Sequence, residues 1–169
     1  MNSTVARRAL AAFGLATLVA LTSGCDNLPF IGDKVAVEDE NPALAAEFHR
    51  IIESKGTARL GDVIAKGGIP EGSWDRMYSF DSPNNEKELN RALGTSGLDW
   101  ARLPEDSEQT TQVFVRNGKV VRAFNDQRPR YGVRNGKYAT PDSTVRVVEK
   151  QRGYPANDVV SVLEIDEFS

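Results

Sequence analysis

Read for hydrophobicity, the chain divides into an apolar head, a short irregular stretch and a long region of mixed patterning. The head is the run Ala9 to Leu21, preceded by Arg7 and Arg8, with no acidic residue anywhere before Cys25. A positive start, an apolar run and then small residues are the three parts of an export signal. The run falls short of the about 20 apolar residues that a lone transmembrane helix needs, so residues 1–24 read as a cleaved signal peptide. Asp26 to Asn41 has no sustained period and holds Pro29, Gly32 and the acidic run Glu38-Asp39-Glu40. Residues 25–41 therefore read as an anchor and flexible tether, and residues 42–169 as a single domain.

Within that domain a helical period comes first. Asn41 is a good cap, Pro42 suits the first helical position, and Gly56 ends the run. Leu44, Phe48, Ile51 and Ile52 fall on one stripe. A shorter helix is predicted from Pro83 to Leu93, capped by Ser82 and closed by Gly94. Between the helices Trp74 to Phe80 alternates as a strand does, with Trp74, Met77 or Tyr78, and Phe80 directed at the core. Gly94 to Gln109 reads as an irregular loop in which Leu98, Trp100 and Leu103 are packing anchors. The clearest hairpin is Thr111 to Phe124, turning at Asn117-Gly118. A two-residue loop sets Val115 opposite Val120 and Phe114 opposite Val121. The pentapeptide Val115-Arg116-Asn117-Gly118-Lys119 recurs as Val133-Arg134-Asn135-Gly136-Lys137, which reads as reused turn chemistry. Thr144 to Lys150 and Val159 to Ile165 are two late strands. The predicted fold is α+β, an antiparallel sheet with two helices behind a signal peptide and a short tether.

Cysteine usage sharpens the picture of the head. Cys25 is the only cysteine, so an intramolecular disulfide is impossible and stability must come from packing. It directly follows Leu21-Thr22-Ser23-Gly24. This segment resembles the lipobox of bacterial lipoproteins, with Thr22 where leucine is commonest. The resemblance implies a diacylglyceryl group on the Cys25 sulfur, cleavage before Cys25, and residence on the extracytoplasmic side of the cell membrane, palmitate-type acyl chains holding the protein there. Asp26 resembles the inner-membrane retention signal of proteobacterial lipoproteins. One acyl chain anchors marginally and two anchor durably, at about 0.8 kcal/mol per buried methylene.

The blocks Leu60-Gly61-Asp62-Val63, Trp74 to Phe80, Leu93-Gly94 and Val113 to Val121 are similar to a group of small uncharacterised bacterial secreted proteins and lipoproteins. The similarity runs from Gly56 to Phe124, departs at Asp81-Ser82-Pro83, and carries over no functional residue.

Candidate chemistry is sparse. The one histidine, His49, sits beside the apolar stripe of the first helix and reads as a boundary residue. No Gly-x-Ser-x-Gly elbow, Walker loop or dinucleotide fingerprint occurs. One histidine and one cysteine do not make a zinc site; no metal and no cofactor is expected. Carboxylate pairs such as Asp62 with Asp75 would suit glycoside chemistry, but with 24 acids in the chain such pairs arise cheaply. A carboxylate-dependent hydrolase is therefore a distant third reading, and an enzyme is not the expectation. Trp74 and Trp100 would line an aromatic groove for a small ligand, although in a domain this short a tryptophan more often belongs to the core.

Charge is unevenly distributed. The whole chain carries −3, and the mature part, without Arg7 and Arg8, −5. Asp26 to Val115 holds 17 acids against 9 bases. Arg116 to Arg152 holds 10 bases (Arg116, Lys119, Arg122, Arg128, Arg130, Arg134, Lys137, Arg146, Lys150 and Arg152) against 3 acids. The last residues turn acidic again at Asp158, Glu164, Asp166 and Glu167. A basic sheet region on a membrane-tethered domain suits an anionic envelope component or an envelope protein, with Arg122, Arg128, Arg130, Arg134 and Lys137 as its binding residues. Export excludes nucleic acid as the expected partner. The competing reading pairs these bases with the acidic helices. The expectation is a non-enzymatic accessory lipoprotein, with a small-ligand binder as the alternative.

Overall fold

Asn41 initiates the first helix in the way its side chain allows: its Oδ1 accepts from the Leu44 N–H at 3.1 Å, and Pro42 opens α1 (Pro42–Ser54). Its stripe of Leu44, Phe48 and Ile51 is buried. The helix stops at Lys55, which takes the left-handed conformation (φ 48°) in place of the expected Gly56. The computed structural model describes residues 30–31, 34–127, 131–152 and 158–169, with backbone alone at Phe30, Ile31, Arg152 and Asp158.

In chain order the elements are β1 (Phe30–Ile31), β2 (Lys34–Ala36), α1, β3 (Thr57–Arg59), α2 (Leu60–Lys66), β4 (Arg76–Asp81), α3 (Glu86–Leu93), β5 (Asp99–Ala101), β6 (Gln109–Arg116), β7 (Lys119–Gln127), β8 (Thr144–Arg152) and β9 (Asp158–Ile165). The chain is an α+β protein, its strand pairing mostly antiparallel. The strands form three small sheets ordered β1-β2-β5, β3-β8-β9 and β4-β6-β7.

The sheet β4-β6-β7 is the centre because both its faces are apolar. Period-two alternation sends Met77 and Phe114 one way, into a core with α1, α2, Val145, Leu163 and Ile165. It sends Tyr78, Phe80, Val113 and Val115 the other way, into a second core with Val35, Val37, Leu89 and Trp100. Met77, Tyr78 and Phe80 are thus all buried, in alternate directions. Such a sheet sits between two layers.

Several expectations change. The stretch read as tether is part of the fold at Phe30–Ile31 and from Lys34 onward: β1 pairs antiparallel with β2, β2 pairs in parallel with β5, Val35 against Trp100, and Val35 and Val37 are 0% and 1% exposed. Its apolar alternation spans only Val35 and Val37, too short a period to register beside the acidic run that follows. The loop 94–109 contains β5, and Leu60–Lys66 forms α2, a helix the pattern did not reveal. The second predicted helix begins later, at Glu86, because Asn85 caps it by accepting from the Glu88 N–H at 3.0 Å.

The hairpin turns where expected, with Asn117 (φ 52°) and Gly118 (φ 74°) both left-handed, the two-residue turn that matches strand twist. Val115 faces Val120, but a bulge then makes Phe114 face Arg122, not Val121. The second copy of the pentapeptide makes a different turn: there Gly136 is left-handed and Asn135 is not. The two late strands pair throughout, from Val145 with Ile165 to Arg152 with Asp158.

Candidate functional site

The basic stretch is divided by the fold among several ion pairs. Arg122 on β7 meets Glu38, just past β2, with two hydrogen bonds of 3.2 and 2.9 Å. Arg134 holds Glu167 through its Nε and its own backbone N–H, both at 2.6 Å. Arg146 on β8 reaches Asp166 at 2.8 Å and Glu164 at 3.2 Å, and Lys150 reaches the same Glu164 at 3.4 Å. These partners come from the N-terminal segment, from β9 and from the residues after it, not from the acidic helices. Charge blocks separated along the chain become neighbours because β8 and β9 are adjacent strands and β2 leads alongside β7. Arg116, Lys119 and Lys137 carry no ion pair among the described residues. Arg128 and Arg130 lie outside the described residues, as does Cys25.

Trp74 and Trp100 do not share a groove. They are 2% and 5% exposed and belong to different cores on opposite faces of the central sheet. Trp74 packs edge-on against Phe114 at 5.3 Å, and the Trp100 indole N–H donates to Asn90 Oδ1 at 3.0 Å. The aromatic groove of the sequence reading is corrected to two core anchors, since each indole closes a separate apolar layer. Of the carboxylates considered for hydrolysis, Asp62 pairs with Arg59 and Asp75 accepts from the Asn117 N–H at 2.6 Å. His49 is well exposed on α1, its Nδ1 3.4 Å from Glu53. Among the described residues no group of three metal-ligating side chains comes together.

The structure also assembles a polar cluster, buried except for Asp81 at its edge, that the sequence pattern does not reveal. Asp81, Thr110 and Asp126 lie in register across β4, β6 and β7, one rung beyond Ser79, Gln112 and Phe124 on the same face. Ser79 Oγ donates to Gln112 Oε1 at 2.7 Å and accepts from the Val133 N–H at 2.9 Å. Thr110 donates to Asp81 at 3.2 Å. The Tyr131 hydroxyl donates to the Asp126 carboxylate, and the Tyr131 ring stacks on Phe48 of α1 at 3.6 Å. Gln112 Nε2 and Asp126 Oδ2 have no hydrogen-bond partner among the described residues.

Asp126 is 2% exposed. Burial pushes its carboxyl up from 3.8 to about 6; the hydrogen bond from Tyr131 opposes the rise and the charge of Glu40 adds to it. Burial first, and then the Asp126 charge, raises the Tyr131 phenol and keeps it protonated. The cluster therefore holds a carboxyl that titrates close to neutrality beside a neutral hydrogen-bond donor. The sequence reading ended the hairpin at Phe124; carrying its alternation two places further puts Asp126 on the Phe124 face. No family model, curated protein or solved structure matches this chain.

Proposed function

We propose that this chain is a lipid-anchored accessory protein of the bacterial envelope, without catalysis of its own, that binds an envelope protein or an anionic envelope component on the extracytoplasmic side of the membrane. The observation that carries the reading is Cys25, the only cysteine, placed at the end of an export signal and five residues before the first strand at Phe30. So short a link holds the folded domain at the surface its anchor occupies. The acids paired with Arg122, Arg134, Arg146 and Lys150 leave less free positive charge than the sequence suggests, which favours a protein partner over a highly charged polymer.

The test has two parts. Metabolic palmitate labelling and membrane fractionation compare the wild-type chain with Cys25→Ser. Label and membrane association are both lost in the variant, and label that survives the substitution overturns the anchor. Cross-linking in intact cells then yields a discrete adduct with one envelope protein. Recovery of uncross-linked chain alone, under conditions that capture known neighbours in the same membrane, removes the protein-binding part.

A further inference from the structure

Two large hydrophobic side chains stand exposed among the described residues, Val159 at 54% and Phe168 at 45%. Their surroundings differ. Val159 follows Asp158 on a strand whose other charged residue is Glu164. Phe168 lies against Tyr138, with ring centroids 5.9 Å apart and two backbone hydrogen bonds of 3.1 and 2.8 Å between the residues. The Tyr138 ring in turn carries the Arg76 guanidinium 4.7 Å from its centroid.

Arg76 is exposed and has no ion pair among the described residues; its neighbour Asp75 spends a carboxylate oxygen on the Asn117 N–H. Lys137, next in the chain to Tyr138, is likewise in no ion pair there. Arg134 completes the rim, its charge answered by Glu167, whose side chain is mostly buried while that of Arg134 is not. An exposed aromatic beside a second ring, with two cations in no ion pair among the described residues, is amphipathic with positive polarity, although the Tyr78 side chain and the nearby Asp75 charge also act on Arg76.

We infer that the face formed by Phe168, Tyr138 and Arg76 docks against anionic lipid headgroups of the bilayer that carries the Cys25 lipid, Phe168 entering the interface while Arg76 and Lys137 meet lipid phosphates. The inference rests on the lipid-anchored reading and specifies which surface meets the membrane. Five residues from Cys25 to Phe30 span at most about 18 Å. That is less than the width of a domain of this size, roughly 30 Å. The domain stays within reach of the headgroup layer, and surface chemistry selects the face it presents. Aromatic rings with a polar edge suit that layer, and arginine and lysine meet phosphates there. Of the described bases between Arg116 and Arg152, Arg122, Arg146 and Lys150 are occupied by protein carboxylates, while Arg116 and Lys119, in no ion pair among the described residues, stand at the β6–β7 turn, away from Phe168 in the chain.

In the anchored chain the Cys25 sulfur is in thioether linkage, so Ser169→Cys offers a single thiol for an environment-sensitive dye beside Phe168. The purified lipoprotein is reconstituted in phosphatidylcholine vesicles with and without phosphatidylglycerol. Dye emission rises roughly two-fold or more with phosphatidylglycerol, and Phe168→Ser and Arg76→Gln each remove most of that rise while tryptophan emission confirms an intact fold. Equal emission in both vesicles, or a rise that neither substitution affects, overturns the docking face. So does inorganic phosphate that reproduces the change with phosphatidylcholine alone, because it marks a simple anion site. A chain that floats with vesicles while the dye stays in water loses the docking face and keeps its anchor; a chain that does not float loses both.

Discussion

Replacing Asp126 by Asn tests the buried cluster through the pH dependence of stability. In the folded chain the Asp126 carboxyl is raised from its ordinary 3.8 to about 6, chiefly by burial. A folded value above the unfolded one favours the folded state most at low pH. The contribution of Asp126 is fully present below about pH 4 and is lost as pH rises through about 6. The shift of about two units corresponds to a loss of about 3 kcal/mol once both states are ionised. Because the unfolded carboxyl is already mostly ionised at pH 5, roughly half of that loss falls between pH 5 and 8.

Asparagine keeps the shape and an oxygen for the Tyr131 hydroxyl but does not titrate. Asp126→Asn therefore gains about 1.5 kcal/mol on the wild type between pH 5 and pH 8, whatever their difference at pH 5. Urea unfolding at both pH values, followed by tryptophan emission, measures the gap, with one indole on each face of the central sheet as reporter. All other titrations are shared by the two proteins and cancel. A gap that stays constant, or one in which the wild type gains with rising pH, refutes the reasoning.

Val35→Ala and Val37→Ala should each lower stability by about 2 kcal/mol, as cavities in the second core; a free tether would leave the urea midpoint unchanged. Gly118→Ala, at φ 74°, costs about 1 kcal/mol or more, since an L side chain resists the left-handed conformation. A midpoint equal to wild type would show that the turn tolerates it. Arg122→Gln lowers stability by at most about 1 kcal/mol, because the pair with Glu38 is one-third exposed and solvent screens it; a loss above 2 would mean a far drier pair. Asp166 behaves oppositely to Asp126. Hydrogen bonds from Thr144 first and Arg146 second hold its carboxyl below 3.8, so its contribution is present above that value and lost as pH falls through the lower one. Acid titration followed by circular dichroism should show a shallower acid limb for Asp166→Asn.

Local signals were legible wherever one residue type acts alone. Asn41 and Pro42 announced α1, and Asn117-Gly118 announced the hairpin, because capping and turn geometry depend on a few neighbouring atoms. The same logic failed for β2 and β5. Each is three residues long, and neither carries enough period to be seen; they exist because each satisfies the other's backbone while Val35 and Trp100 fill one core. The bulge opposite Phe114 was equally invisible, since a register shift is settled by packing on both faces of the sheet. Asp126 sat in a polar triplet that ends a strand, and nothing local marks it as buried.

By itself, the sequence determined the isolation of Cys25, the Asn41 cap, the Asn117-Gly118 turn and the α+β class, all of which follow from short-range chemistry or from counting. Tertiary structure alone decided which charges are free. The segregation of acids and bases along the chain is real, yet Glu38 comes back to Arg122, and β9 with the residues after it brings Glu164 and Asp166 to Arg146. Coulomb attraction depends on distance through space, so charges separated along the chain cancel once strands align. The cations that remain unpaired, Arg76 and Lys137 beside Phe168 among them, became visible only after that cancellation.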